Sequence, residues 1–253
     1  MSHIKKTHRI GLLTPSSNTT QAPEFVEVLP PTVSLHSSRL SLTSIDPDQT
    51  ESMVEELEKE SRKLADADVD VIVLAATAPS SRKGKGYDRE LIRRMEEASG
   101  KPATTASTAL LEAMETLGVR RLAIGSPWTA AIDKFTVAFL EANGIEVVYH
   151  EALGIVSNNE VGKLDPESAY DTGCRVDRPD ADAVMLSCGN WWTMSVVERL
   201  ERKIGKPVLT TNSVSIWAAL QIIKGYDSLP GYGRLLNDYL GAAPAPVRRA
   251  SAA

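Results

Sequence analysis

The chain has 253 residues, 42% hydrophobic and 24% charged, with a formal net charge of -5, enough to bury the core of one large domain or two small ones. That balance excludes the basic surface of a nucleic-acid binder, and no segment approaches the roughly 18 apolar residues of a membrane span. Met1 to Arg9 (MSHIKKTHR) lacks the apolar stretch of a secretion signal, so the expectation is a cytoplasmic protein with no nucleic-acid or membrane partner.

Short apolar runs alternate with segments of helical period, the pattern of a parallel sheet wrapped by helices. Ile10 to Leu13 reads as the first strand, Met53 to Ala67 as a helix, and Val69 to Ala75 (VDVIVLA) as a fully buried strand. Helices follow at Tyr87 to Ala98 and Thr108 to Leu117, then a strand at Arg121 to Gly125, a helix at Ala130 to Asn143 and a strand at Glu146 to Tyr149. The pattern ends with a strand at Ala183 to Ser187, a helix at Trp192 to Ile204, a strand at Val208 to Thr210 and a helix at Ser213 to Leu220. Gly100, Gly118, Gly144 and Gly205 mark helix ends. The small, Pro-containing tail (GAAPAPVRRASAA, 241–253) is expected to be disordered.

The sequence also repeats itself. GKPATTASTALLEAM from Gly100 recurs as GKPVLTTNSVSIWAAL from Gly205, 105 residues later. VIVLAAT (Val71 to Thr77) matches AVMLSCG (Ala183 to Gly189), pairing Ala76 with Cys188 at an offset of 112, and GLLTPSS matches LAIGSPWT, pairing Pro15 with Pro127 at the same offset. Three matched pieces imply duplicated α/β halves. The expected fold is therefore α/β, two pseudo-symmetric parallel-sheet domains with the active site in the cleft between them. The first domain is placed at 1–117 plus 208–240 and the second at 118–207. Ligands of parallel α/β sheets bind outside the carboxyl ends of strands, where all three matched turns lie.

The chemistry-bearing residues are few. Two cysteines, Cys174 and Cys188, lack C-x-x-C spacing, and His3, His8, His36 and His150 are scattered, so no catalytic metal is expected. Cys188 follows a buried strand in LSCGN and precedes an expected helix start, where N–H groups would lower its pKa. Its bland reading is a small buried hydrophobe. The turn PSSNTT (Pro15 to Thr20) offers Ser17 and Asn18 to a carboxylate, although such residues also cap helices. Thr77, Ser80 and Ser81, and Thr210 to Ser213, converge on the same sheet edge, and Ser157, Asn158 and Asn159 could close over it. Trp128, Trp191 and Trp192 would give the cleft an apolar wall, with Trp217 in the core.

VIVLAAT, LSCGNWWT, the Gly-Lys-Pro turns and PGYGRLL (Pro230 to Leu236) together resemble the aspartate/glutamate racemase superfamily, and within it arylmalonate decarboxylase and maleate cis-trans isomerase, over roughly residues 8 to 240. The resemblance implies two pseudo-symmetric α/β domains, no cofactor, and often a dimer. Two-cysteine members carry one cysteine after each matched strand; here Ala76 stands at the first position, which looks like the decarboxylase pattern. By the same resemblance Thr77 would be an oxyanion-hole hydroxyl. Ala78 and Trp128 replace the decarboxylase's serine and tyrosine. Asn18 and Asn158 resemble the carboxylate-binding asparagines of maleate isomerase.

The expected activity is decarboxylation of a small malonate-type or related acid through an enediolate protonated by Cys188. Catalytic roles fall to Cys188 and Thr77. Pro15, Ser17, Asn18, Ala76, Ala78, Trp128, Asn158, Gly189, Asn190 and Trp191 are expected to bind substrate. A maleate isomerase-like reaction with Cys188 as nucleophile, or an inactive carboxylate-binding relative, are the alternatives.

Overall fold

A computed structural model describes residues 5–44 and 47–241, so the tail expected to be disordered lies outside the described residues beyond Gly241. In chain order the first half contains β1 (His8–Pro15), α1 (Gln21–Val28), β2 (Val33–Leu40), α2 (Pro47–Glu55), α3 (Leu57–Asp66), β3 (Val71–Leu74), α4 (Thr77–Ser81), α5 (Tyr87–Ser99), β4 (Ala103–Thr105) and α6 (Ala106–Leu117). The second half repeats the plan with β5 (Arg121–Ser126), α7 (Ala130–Ala142), β6 (Glu146–Ala152), α8 (Asn158–Val161), α9 (Pro166–Val176), β7 (Ala183–Leu186), α10 (Val197–Ile204), β8 (Val208–Thr210), α11 (Thr211–Ile223) and α12 (Arg234–Asp238).

The strands form two four-stranded sheets of orders β2-β1-β3-β4 and β6-β5-β7-β8. All named pairings are parallel, with β1 matching β3 from Ile10↔Val71 to Leu13↔Leu74 and β5 matching β7 from Leu122↔Ala183 to Gly125↔Leu186. Parallel strands covered on both faces need apolar side chains all along, which is why VIVL and AVML are buried at every position. In each sheet the order reverses between its first and third strands, and that switch point opens a crevice at their carboxyl ends. Pro15 and Ala76 stand at one crevice, Pro127 and Cys188 at the other.

Three apolar clusters fill the layers. One packs α3 and α5 on the outer face of the first sheet through Leu57, Leu64, Leu91 and Met95, and another packs α9 and α10 on the outer face of the second through Val176, Val197 and Leu200. The third lies between the sheets and draws on both halves: Phe25 of α1, Leu110 and Met114 of α6, Phe139 and Leu140 of α7, and Ile216 and Leu220 of α11. Truncating such a fully buried leucine to alanine costs about 2–5 kcal/mol. The shared middle layer holds the two crevices against each other.

One boundary expected from the sequence needs correction. Val208 to Thr210 pairs with β7 in the second sheet, Val184↔Val208 to Leu186↔Thr210, so this strand belongs to the second half. The crossing occurs at α11, which packs on α6, β3 and α1 of the first half. The repeat explains it: α11 matches α6, and each of these helices packs against its counterpart across the pseudo-twofold relation.

Candidate active site

The carboxyl ends of β1, β3, β5 and β7 border a cleft of about 420 Å³, its open mouth included. Of the residues expected there, Pro15, Asn18, Ala76, Thr77, Ala78, Trp128, Asn158, Cys188, Gly189 and Asn190 all line it. Ser17 and Trp191 do not. Ser17 lies behind the wall, its hydroxyl donating to the Leu42 carbonyl at 2.5 Å and accepting from Asn158. Trp191 is fully buried in the second half, its indole N–H donating to Ser168 at 2.8 Å. Trp192 likewise donates to the Gly162 carbonyl and Trp217 to that of Tyr239, so the apolar wall is made by Trp128 with Pro15, Ala75, Ala76 and Pro79.

Cys188 keeps only 3% exposure, and burial pushes its thiol well above the ordinary cysteine range. The Asn190 N–H, 3.2 Å from Sγ, pulls the other way, while the nearby carboxyls of Asp133 and Glu24 add to the rise. This reverses the lowered pKa expected from the sequence. The physical reason is local: α10 begins at Val197 rather than at Trp192, so Cys188 sits in a turn nine residues before the helix, out of reach of its terminal N–H groups. That direction favours the protonated thiol over the thiolate.

Across the cleft from Cys188, Ala76 lies two residues past β3 with 7% exposure and no polar atom on its side chain. Thr77 opens α4, and its hydroxyl pairs with that of Thr211 at 2.9 Å. The Ser80 and Ser81 hydroxyls, expected near substrate, instead brace the start of α4: Ser80 donates to the Ala76 carbonyl at 2.7 Å and Ser81 to the Thr77 carbonyl at 3.0 Å. The N–H groups of Thr77 and Ala78 belong to the first turn of α4 and have no intrahelical acceptor. Gly189 is glycine for space: a Cβ there would lie 2.2 Å from Gln21 Nε2 and 3.1 Å from the Ala75 carbonyl oxygen.

The asparagines divide their work unequally. Asn18 Oδ1 accepts from the N–H groups of Thr20 and Gln21 at 3.1 and 2.9 Å, capping α1 and leaving Nδ2 as the atom free for the cleft. Asn158 spends its amide on protein partners, donating to Ser17 at 2.7 Å and accepting from Asn190 at 3.1 Å. Asn190 in turn accepts from the Thr19 N–H at 2.8 Å. Asn158 and Asn190 therefore fasten the two halves across the cleft edge, and an isolated bridge between Ser44 and Ser157 adds to the fastening.

Five polar residues in or just behind the cleft wall escaped the sequence reading, the cleft-lining Thr136 among them. Gln21 donates to the Ala75 carbonyl at 2.6 Å and accepts from Thr14 at 2.6 Å. Glu24 accepts from the Thr193 and Met194 N–H groups at 2.6 and 2.8 Å and from Asn212 Nδ2 at 2.6 Å, joining the halves. Desolvation raises its carboxyl to about 6 despite those bonds. Asp133 accepts from the Ser126 hydroxyl at 2.6 Å, and burial raises it too. Ser187 lines the cleft beside Cys188. The repeat held the signal, since Gln21 and Asp133, like Glu24 and Thr136, stand 112 residues apart.

No group of three metal-binding side chains occurs among the described residues, and no helix among them is long and apolar enough to cross a membrane. The sequence matches the family model described as arylmalonate decarboxylase over residues 10–236. Arylmalonate decarboxylase of Bordetella bronchiseptica is 29% identical over 235 residues, covering 92% of this chain and 98% of that protein. Maleate isomerase of Pseudomonas putida is 30% identical over 247 residues, covering 92% and 99%. The structure of Nocardia farcinica maleate cis-trans isomerase, a cysteine-to-serine mutant with a covalently bound succinylcysteine intermediate, superposes with a TM-score of 0.86 at 28% identity over 91% of this chain and 98% of that one. With that match spanning nearly the whole chain, the protein belongs to the arylmalonate decarboxylase family and is a cysteine-dependent enzyme of the decarboxylase or isomerase type.

Proposed function

We propose that the protein is a cofactor-independent decarboxylase of small malonate-type acids, in which Cys188 protonates the enediolate left by loss of CO2. The observation that carries this reading is the buried, desolvated thiol of Cys188 in a cleft whose matching position in the first half is an alanine, Ala76. A buried thiol with a raised pKa is a poor nucleophile and a competent acid.

The other groups support each step. Loss of CO2 leaves charge on the remaining carboxylate, and the Thr77 hydroxyl, the first-turn N–H groups of α4 and Asn18 Nδ2 are the donors available to it. Trp128, Pro15 and Pro79 form an apolar wall beside the departing group. Because Ala76 offers no second acid, the proton reaches carbon from the Cys188 side alone, and the product has one handedness.

Maleate isomerisation is the second reading, favoured by the free Asn18 amide in the cleft. It requires a thiolate at Cys188, against the direction in which burial moves that group. The test is a panel of monosubstituted malonates assayed for CO2 release, with maleate assayed for fumarate alongside. Malonate turnover supports the proposal; fumarate formation without CO2 release would replace it with the isomerase reading.

A further inference from the structure

Loss of CO2 from a carboxylate consumes one proton per turnover, and a buried thiol that gives up its proton must be recharged. Asp133 is placed for this. It is 3% exposed in the first turn of α7. One carboxyl oxygen accepts from Ser126, and the other, Oδ2, is buried without a hydrogen-bond partner among the described residues.

The internal repeat gives Asp133 a counterpart in the first half, Gln21. Thr14 donates to Gln21 in the first half exactly as far along the chain as Ser126 donates to Asp133 in the second, a spacing of seven residues in both. The free end of Gln21 is an N–H group, and it donates at 2.6 Å to the carbonyl of Ala75, the residue before Ala76. The matching carbonyl in the second half belongs to Ser187, the residue before Cys188. Asp133 has no amide N–H to offer at the matching position, and its buried, unpartnered Oδ2 can donate only when the carboxyl carries a proton. Two hydroxyls complete the surroundings: Thr136, one turn along α7, and Ser187 both line the cleft.

We infer that Asp133 is a neutral carboxylic acid behind the cleft, which returns a proton to Cys188 after each turnover. The inference rests on the decarboxylase reading above. The balance is simple. The C–CO2 bond breaks and its electron pair becomes the enediolate; the Cys188 S–H proton passes to carbon; the Asp133 O–H proton passes to the thiolate, directly or through the Ser187 or Thr136 hydroxyl; and the Asp133 carboxylate regains a proton from hydronium or buffer acid in the solvent, the one proton consumed per turnover. Transfer from a carboxyl to a thiolate runs downhill, because Asp133 is the stronger acid of the two. Asp133 acts through Cys188 and is therefore a positioning residue.

The groups around Asp133 agree with a neutral acid. The helix packs on β6 and α4. From β6, His150 opposes the rise in the Asp133 pKa, but burial outweighs it. Helix α4 (TAPSS) brings no ionisable side chain. The end of β7 brings Cys188, which an ionised Asp133 would hold protonated and slow to act.

The test uses the full chain with Asp133→Asn and Asp133→Ala. Infrared difference spectra at neutral pH should show the carbonyl stretch of a neutral carboxylic acid, shifted in D2O, in the wild type and not in Asp133→Asn. With a malonate the wild type decarboxylates, Asp133→Asn should lower kcat by about 10- to 100-fold with KM nearly unchanged. Added formate or acetate buffer should restore much of the Asp133→Ala rate, which a purely structural residue would not show. A difference spectrum lacking that band overturns the inference whatever the turnover, as does an unchanged kcat in Asp133→Asn. Presence of the band supports the neutral acid even where failure of every malonate overturns the decarboxylase reading, so the two failures are told apart.

Discussion

Ala76 follows β3 and Cys188 follows β7 at the same distance; Thr14 donates to Gln21 in the first half and Ser126 to Asp133 in the second; Glu24 of α1 is answered in α7 by Thr136. At the matched positions the first half has an alanine and an amide, Ala76 and Gln21, where the second has a thiol and a carboxyl, Cys188 and Asp133. On the proposed reading one backbone plan serves twice, once to hold charge and once to move a proton. The comparison also explains why the halves must be fastened so closely. Glu24 and Asn212, Asn158 and Ser17, and Thr77 and Thr211 each bond across from one half to the other, and the proposed chemistry needs the proton donor of one half held against the anion-binding donors of the other.

Breaking the asymmetry at its centre should have the largest effect. Cys188→Ser retains the shape and removes the acid, and should lower kcat by about 10²- to 10⁴-fold with KM little changed; steady-state kinetics on a malonate check it. Removing the Thr77 hydroxyl (Thr77→Ala) should cost about 10²-fold in kcat, measured the same way, because it takes one donor from the developing charge. Ala76→Cys makes the halves alike, and should convert a product of one handedness into a racemic mixture on chiral chromatography, with decarboxylation retained.

The fastening of the halves gives a smaller, pH-dependent effect. The Glu24 carboxyl titrates at about 6 in the fold against an ordinary 4.5, so between those values the folded state binds more protons than the unfolded one. Its contribution to stability therefore falls as pH rises through that window, by about 2 kcal/mol in all. Glu24→Gln should remove this slope, so that denaturant midpoints of the wild type and Glu24→Gln converge or cross between pH 4.5 and pH 6.5. Cys174→Ser, at a partly exposed site on α9, should change stability by less than about 0.5 kcal/mol and leave kcat unchanged.

Much of this plan was legible in the sequence because buried parallel strands are written in runs such as VIVL and AVML, and because the halves still share spacing. The edge strand β2 (VSLHSSRL) was not legible, since only its two ends are buried and its middle is polar. Helix α9 (PESAYDTGCRV) hides for a different reason: its buried face is made of Ala169, Thr172, Gly173 and Val176, too small and polar to show an apolar period. At the site, Cys188, Thr77 and Asn18 were found from strand-end position. Trp191 was misplaced because position along the chain does not say which way an indole turns, and the thiol's pKa was misjudged because the helix begins later than its sequence period suggests. Asp133 and Gln21 were passed over because a single polar residue on an amphipathic helix looks like any solvent-facing one until the fold buries it.

The central claim is a single proton donor on one side of the cleft. It is tested most directly by decarboxylating a prochiral α-substituted malonate in D2O and measuring the handedness and deuterium content of the product. The account predicts one enantiomer carrying one deuterium at the α-carbon, and no comparable turnover by Cys188→Ser. A racemic product from the wild type, or undiminished turnover by Cys188→Ser, would contradict it.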